Sequence, residues 1–239
     1  MDKLNSENVA KKYNEISVIW DEKDKWHSIV KRKINSFLES SFNIISNHEN
    51  FKILNAGSAG YSYGLKEDNI THIDIAERKI SHLKNAIKGD IQNLPKSLGY
   101  FDLIICVGSV INYCDPLLVF REFNKVQKGG YLVVEFENSC SFELLGKSSF
   151  NKKATIVNTF YNGTEETIWF FAESYIREVA ELNGYKIVDH KRFHLLSPLI
   201  YRLFKNENFA AKFSVLDSFA SKIPYLRKLS SNTIFLFHK

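Results

Sequence analysis

The chain has 239 residues, 44% of them hydrophobic and 25% charged, enough for one large α/β domain with a sizeable core. Its 32 Lys and Arg against 27 Asp and Glu leave a net charge of +5, too small an excess to point to nucleic acid. The first residues lack a signal peptide's apolar run, and no stretch approaches the ~20 apolar residues of a membrane span; Cys106, Cys114 and Cys140 lack metal spacing, so reduced thiols, no metal and a cytoplasmic location are expected.

Residues 1–48 read as a helical cap, with Trp20, Trp26, Ile29, Ile34, Phe37 and Leu38 supplying apolar faces. Strand-like runs follow at 52–56, 70–74, 86–90, 101–107 and 131–136. Helical segments separate several of them. One is 76–83, and another is 115–126, opened by Asp115 as N-cap and Pro116 at the first helical position. Alternating strand and helix predicts an α/β, doubly wound parallel sheet with helices on both faces. Beyond the fifth strand the pattern changes. Runs at 155–161 and 167–171 flank Asn162-Gly163, a strong hairpin signal. A helix is expected over 173–183, stopped by Gly184, and strands over 185–189 and 233–238. The stretch 198–229 reads as one or two helices rich in aromatic and basic residues. The expected organisation is a cap over 1–48 and one domain over 49–239, with lid insertions at 151–171 and 195–229.

The most informative segment is 51–74, FKILNAGSAGYSYGLKEDNITHID. It is an apolar strand, a glycine turn, a short connector, a second strand and an aspartate at that strand's tip. Glycines let backbone approach a nucleoside, and the acid sits where ribose hydroxyls reach it. This order implies an adenosine-containing cofactor.

The whole series resembles the class I S-adenosylmethionine-dependent methyltransferases, in particular the branch acting on small molecules. The motifs that carry the likeness are Asn55-Ala56-Gly57-Ser58-Ala59-Gly60, Ile73-Asp74-Ile75, Lys88-Gly89-Asp90-Ile91, the run from Phe101 to Val110, and Lys128-Gly129-Gly130-Tyr131. Asn55 stands where the family usually has an acid, and Ala59 where it has glycine. The connector after Gly60 is short, so the first helix after the first strand is expected to be truncated. The resemblance implies a seven-stranded, mostly parallel Rossmann-like sheet whose last strand inserts antiparallel beside the fifth. It implies S-adenosylmethionine as cofactor. Asp74 would accept from both ribose hydroxyls, with Ile75 beside it. Asp90 would accept from the adenine amino group, and Ile91 would pack on the ring. Val107 and Gly108 would lie beneath the methionine portion. Tyr13 or Trp20, on helices folded over the cofactor, would turn a ring to the sulfonium, or both rings pack on the sheet.

The acceptor side is less defined. His27 is either a general base or a solvated helix residue. Asn112 and Tyr113, after the fourth strand, either orient an acceptor or serve as a turn residue and a core ring. Glu137, after the fifth strand, is either a base or a solvated loop acid. Asp102 begins its strand, away from the expected site, and reads as structural. The aromatic and basic stretch 195–228 reads as an amphipathic lid or a segment lying on a membrane surface. The expected activity is methyl transfer to a small or medium-sized acceptor, of lipid or sugar type among others, with O- or C-methylation favoured. The Asn/Asp-Pro-Pro-aromatic motif of amino-group methyltransferases is missing from 108–113, which disfavours a nucleic-acid substrate. The alternatives are a nicotinamide-dependent Rossmann oxidoreductase and a non-catalytic methyltransferase-like binding protein.

Overall fold

The computed structural model describes residues 5–45, 50–161 and 164–239. Two helices lead the chain, α1 (Ser6–Glu15) and α2 (Lys25–Ile44). Each starts on a side-chain cap: Asn5 accepts from the Glu7 amide, and Asp24 from the His27 amide at 3.0 Å. Five strands then alternate with short connections: β1 (Ile53–Ala56), β2 (Ile70–Asp74), β3 (Ala86–Lys88), β4 (Leu103–Cys106) and β5 (Tyr131–Glu137). Their Ile, Leu and Val are buried on both faces, so the strands read as near-continuous apolar runs. α3 (Glu77–Ile80) and α4 (Pro116–Lys125) lie between them, and Asp115 caps α4 by accepting from the Leu117 amide at 2.9 Å.

The remaining elements are β6 (Ala154–Tyr161), β7 (Thr164–Phe171), α5 (Glu173–Leu182), β8 (Lys186–Phe193), α6 (Ser197–Phe204), α7 (Glu207–Ala211), α8 (Asp217–Ala220), α9 (Pro224–Arg227) and β9 (Asn232–His238). The main sheet has the order β3-β2-β1-β4-β5-β9-β8. β1 to β5 run parallel, and β9 lies antiparallel between β5 and β8. β6 and β7 form a separate antiparallel pair. This is the seven-stranded, mostly parallel sheet expected above, with the last strand beside the fifth.

Two cores sandwich the sheet. On one face Leu54, Ile104, Leu132, Val134, Phe235 and Phe237 pack against Val119, Phe120 and Phe123 of α4 and Ile176 and Val179 of α5. On the other, Ile53, Leu103, Ile105, Val133, Ile234 and Leu236 meet Val30, Ile34, Phe37 and Leu38 of α2. The alternation of Ile234 and Leu236 against Phe235 and Phe237 is the period of two that a strand covered on both faces requires.

Several boundaries differ from the sequence expectation. The third strand stops at Lys88, and the helix expected over 76–83 is the single turn of α3. Between β1 and β2 the described residues hold only a 3-10 turn, Glu67–Asn69, as the short connector implied. β8 runs four residues past its expected end, because β9 pairs with it as far as Phe193. The stretch 198–229 breaks into α6 to α9 with a 3-10 turn at Lys212–Leu216. Lys205 ends α6 in the left-handed region (φ 53°), Asn206 caps α7 by accepting from the Phe209 amide, and Pro224 opens α9. Asn162-Gly163, the expected hairpin turn, lies outside the described residues.

Candidate active site

A cavity opens at the carboxyl ends of β1, β2, β4 and β5, on either side of the point where strand order reverses between β1 and β4. Ligands of open α/β sheets bind at this position. The cavity holds about 1410 Å³ of space, counted with its open mouth.

One end of it, where a nucleoside is expected, is built from the turn after β1. The Gly57 amide donates to the Ile73 carbonyl at 2.8 Å, joining the turn to β2. Gly57 has φ +71°, and a Cβ there would lie 2.4 Å from Val110 Cγ1, so only glycine fits. Ala59 takes a left-handed conformation too, at φ 45°, in place of the family's glycine. The Ala59 amide donates to Asp74 Oδ2 at 2.8 Å, and the Ala76 amide to Oδ1 at 2.7 Å. Asp74 thus clamps the glycine turn onto β2. Burial pushes its carboxyl pKa up, and these two amides work against that rise. Each carboxylate oxygen keeps one lone pair for a ligand.

Asp74, Ile75, Asp90 and Ile91 line this end together with Gly57, Ser58 and Ala59. Asp90 Oδ2 accepts from Ser6 Oγ at 2.7 Å, and its Oδ1 from the Gln92 amide at 2.8 Å, which ties α1 to the third strand's tip. Val107 and Gly108 form the floor over β4, and Tyr13 and Trp20 cover it from the N-terminal cap. Asn55 and Gly60 stand behind the wall. Asn55 Nδ2 donates to the Tyr61 carbonyl, and the Gly60 amide donates to Ser58 Oγ at 3.2 Å, so both shape the turn.

The other half of the cavity is acidic. Glu135 Oε2 accepts from the Gly108 and Ser109 amides at 2.9 and 2.7 Å. Asn232 Nδ2, on β9, donates to Glu135 Oε1 at 2.8 Å and to Glu137 Oε1 at 3.0 Å. Ser109 Oγ donates to Glu137 at 3.2 Å. Burial, and then the neighbouring charges of Glu135 and Glu143, hold the Glu137 carboxyl well above the usual carboxylate range. Tyr113 O–H donates to Glu166 Oε2 at 2.5 Å and meets the Tyr13 hydroxyl at 2.9 Å. Lys12 pairs with the same Glu166 oxygen, so α1 is latched to β7 across the cavity.

His27 faces the cavity rather than solvent. Its Nδ1 lies 2.6 Å from Asp24 Oδ2, and Glu207 brings a carboxylate oxygen within 4.8 Å of both groups. Burial acts to raise the Asp24 pKa, but the hydrogen bond and charge of His27 outweigh it and hold it low. Burial pushes Glu207 up to about 7. Behind this cluster, Trp26 stacks on His194 with ring centroids 4.2 Å apart.

The structure therefore brings His27, Tyr113 and Glu137 to one cavity with the expected cofactor residues. Asn112 is not among its lining residues. Its Nδ2 donates to the Trp169 carbonyl at 2.5 Å and its Oδ1 accepts from the Glu137 amide at 3.0 Å, so it fastens the turn after β4 to β5 and β7. Asp102 accepts from the Lys52 amide at 2.9 Å at the amino ends of the strands, opposite the cavity, a structural place. Sequence reasoning missed Asp24, Glu135, Glu143, Glu166 and Glu207. Two of them left a signal: Asp24 precedes His27 by three residues at a helix start, and Glu135 interrupts the apolar run YLVVEFE.

The model of the methyltransferase-domain family matches residues 54–134, the span from β1 through most of β5. No curated protein matches the chain in sequence. Among solved structures, the [4+2]-cyclase SpnF is 15% identical, covers 98% of this chain and 96% of its own, and aligns with a TM-score of 0.60. A S-adenosylmethionine-dependent methyltransferase from Clostridium acetobutylicum is 16% identical over 97% of each chain, with a TM-score of 0.52. The magnesium protoporphyrin IX methyltransferase of Synechocystis, solved with S-adenosylmethionine, is 12% identical, covers 98% of this chain and 96% of its own, with a TM-score of 0.54. At these identities the neighbours establish the fold. The methyltransferase-domain match falls on the strands and turns that wall this end of the cavity, and the chain shares the fold of S-adenosylmethionine-dependent methyltransferases.

Proposed function

We propose that the protein methylates a small or medium-sized acceptor at oxygen, with His27 as the general base. The single observation that carries this reading is the Asp24–His27 pair opening on the same cavity as Gly57 and Asp74. An imidazole whose Nδ1 is held by a carboxylate presents its Nε2 for proton transfer.

The residues fit the cofactor. Gly57 leaves space that a Cβ would fill, and Asp74 keeps free lone pairs beside it. Asp74 would hold the ribose, Asp90 and Ile91 the adenine, and Val107 with Gly108 the methionine portion. When bound, S-adenosylmethionine supplies a methyl group made electrophilic by the sulfonium. The protein's part is alignment and proton removal. Tyr13 and Trp20 close over the cofactor half and exclude water, and an aligned nucleophile gains roughly 7–11 kcal/mol from positioning. His27 takes the acceptor's hydroxyl proton on Nε2, and Asp24 on Nδ1 steadies the imidazolium that results.

Acceptor choice follows from the acidic side chains of the wall. Glu137, Glu143, Glu166 and Glu207 line the acceptor half, and no Lys or Arg lines the cavity among the described residues. Such a wall favours an acceptor that offers hydrogen-bond donors, a hydroxyl or an amine. Three segments would act as cap and lids over the cavity: 1–48 through Tyr13 and Trp20, 151–171 through Glu166 and Phe170, and 195–229 through Tyr201 and Glu207.

The test is transfer of labelled methyl from S-adenosylmethionine to a panel of hydroxylated acceptors, followed by His27→Asn. Loss of about 10²–10⁴-fold in kcat, with S-adenosylhomocysteine affinity kept, supports the base. An unchanged kcat removes it. A second reading, a cofactor-binding protein that does not transfer methyl, draws on the cyclase that shares this fold. It requires S-adenosylhomocysteine to bind while no acceptor takes methyl from S-adenosylmethionine.

A further inference from the structure

The segment from α6 to α9 has a surface unlike the rest of the molecule. Leu203, Phe204, Val215, Phe219, Ile223 and Tyr225 are exposed within 23 residues, Val215 at 72% and Tyr225 at 83%. Exposed apolar side chains this dense along one segment mark an interaction surface. Phe204, Phe209 and Phe213 are in edge contact, with centroids 5.2 and 5.4 Å apart, which gives the patch a firm base.

Charge then selects the partner. Lys205, Lys212, Lys222, Arg227 and Lys228 are exposed among the apolar residues. The stretch 202–228 contains two acids, Glu207 and Asp217, and both turn inward. Glu207 lines the cavity. Asp217 is buried and accepts from the Leu195 and Leu196 amides at 3.1 and 2.8 Å. The outward charge of the segment is therefore positive throughout. Aromatic and aliphatic side chains interleaved with lysine and arginine, with no outward acid, match the headgroup region of an anionic lipid bilayer.

We propose that 202–228 docks the protein reversibly on an anionic lipid surface. No helix among the described residues is long and apolar enough to cross a membrane, so the attachment is peripheral. The same segment supplies Tyr201 and Glu207 to the cavity wall, so docking brings the acceptor side of the site to the bilayer.

Co-sedimentation of the full chain with lipid vesicles tests this. Vesicles of phosphatidylglycerol and phosphatidylcholine should bind at least tenfold more tightly than phosphatidylcholine alone, and 0.5 M salt should weaken that binding. Two variants separate the contributions. Phe219→Asp with Tyr225→Asp removes apolar contact, and Lys222→Glu with Arg227→Glu reverses charge while leaving the other apolar residues in place. Each should weaken binding at least tenfold, with circular dichroism and S-adenosylhomocysteine affinity unchanged, since the altered side chains are exposed. Failure of both vesicle types to bind overturns the proposal, as does binding that neither variant weakens. A lipid-free dimer that Phe219→Asp dissolves, with no vesicle binding, would assign the patch to a second copy of the chain instead.

Discussion

Asp74, Gly57 and Asn232 each hold backbone and chemistry together. Asp74 fixes the turn after β1 through two amides and still faces the cavity. Gly57 is confined by Val110, so Gly57→Ala is expected to destabilise the protein by about 1–3 kcal/mol through overpacking and left-handed strain. Val110→Ala in the same chain should recover part of that loss in urea unfolding. No recovery would mean that φ alone, not the contact, sets the cost. Asn232 donates to Glu135 and Glu137 at once, keeping two buried acids apart from direct repulsion. Asn232→Leu should cost about 1–3 kcal/mol and shift the acid limb of activity, because both carboxyls lose a donor. An unchanged pH–rate profile would detach Glu137 from the chemistry.

Among the elements, α1 is thinly anchored by its own core, with Val9 its one buried residue. Its attachment is polar: Ser6 to Asp90, Lys12 to Glu166, and Tyr13 to Tyr113. Tyr113→Phe removes a hydroxyl shared by α1 and β7. The expected result is faster release of S-adenosylhomocysteine by several-fold, with an unchanged association rate. Equal release rates would show that α1 does not gate the cavity. The same contrast explains what the sequence made legible. The parallel strands and the Asp115 cap rest on local pattern, and each is readable from residues near one another, whereas the antiparallel place of β9 beside β5 was implied by the family resemblance alone. The turn chemistry at 55–60 and Asp74 was readable for the same reason. Glu166 and Glu207 were not, because they reach the cavity from β7 and α7, brought there by tertiary packing that no local period encodes. Asn112 takes the second of its two readings, a turn residue that fastens backbone after β4, a choice that local sequence leaves open.

At the scale of the molecule, buried titratable groups set opposing pH trends. Burial, followed by the charge of His27, holds His194 down to about 3, against 6.5 when unfolded. Between those values the unfolded chain carries a proton that the folded one does not. Stability therefore falls as pH drops from 6.5 towards 3, by at most about 1.4 kcal/mol per pH unit. Glu207 acts oppositely: its folded pKa of about 7 exceeds the ordinary 4.5, so its contribution is lost as pH rises between them. Urea unfolding at pH 6.5 and 4.5 should show a smaller acid loss for His194→Asn than for the wild type. An equal loss would contradict the assignment.

All of these effects surround one cavity, whose identity as a nucleoside site depends on the carboxylate at the tip of β2. Isothermal titration calorimetry with S-adenosylhomocysteine, on the wild type and on Asp74→Asn, tests it most directly. One-to-one binding by the wild type, weakened at least tenfold in the variant while the melting temperature shows it folded, is the expected result. Equal affinity in the two proteins, or no S-adenosylhomocysteine heat beside tight binding of a nicotinamide dinucleotide, would contradict it.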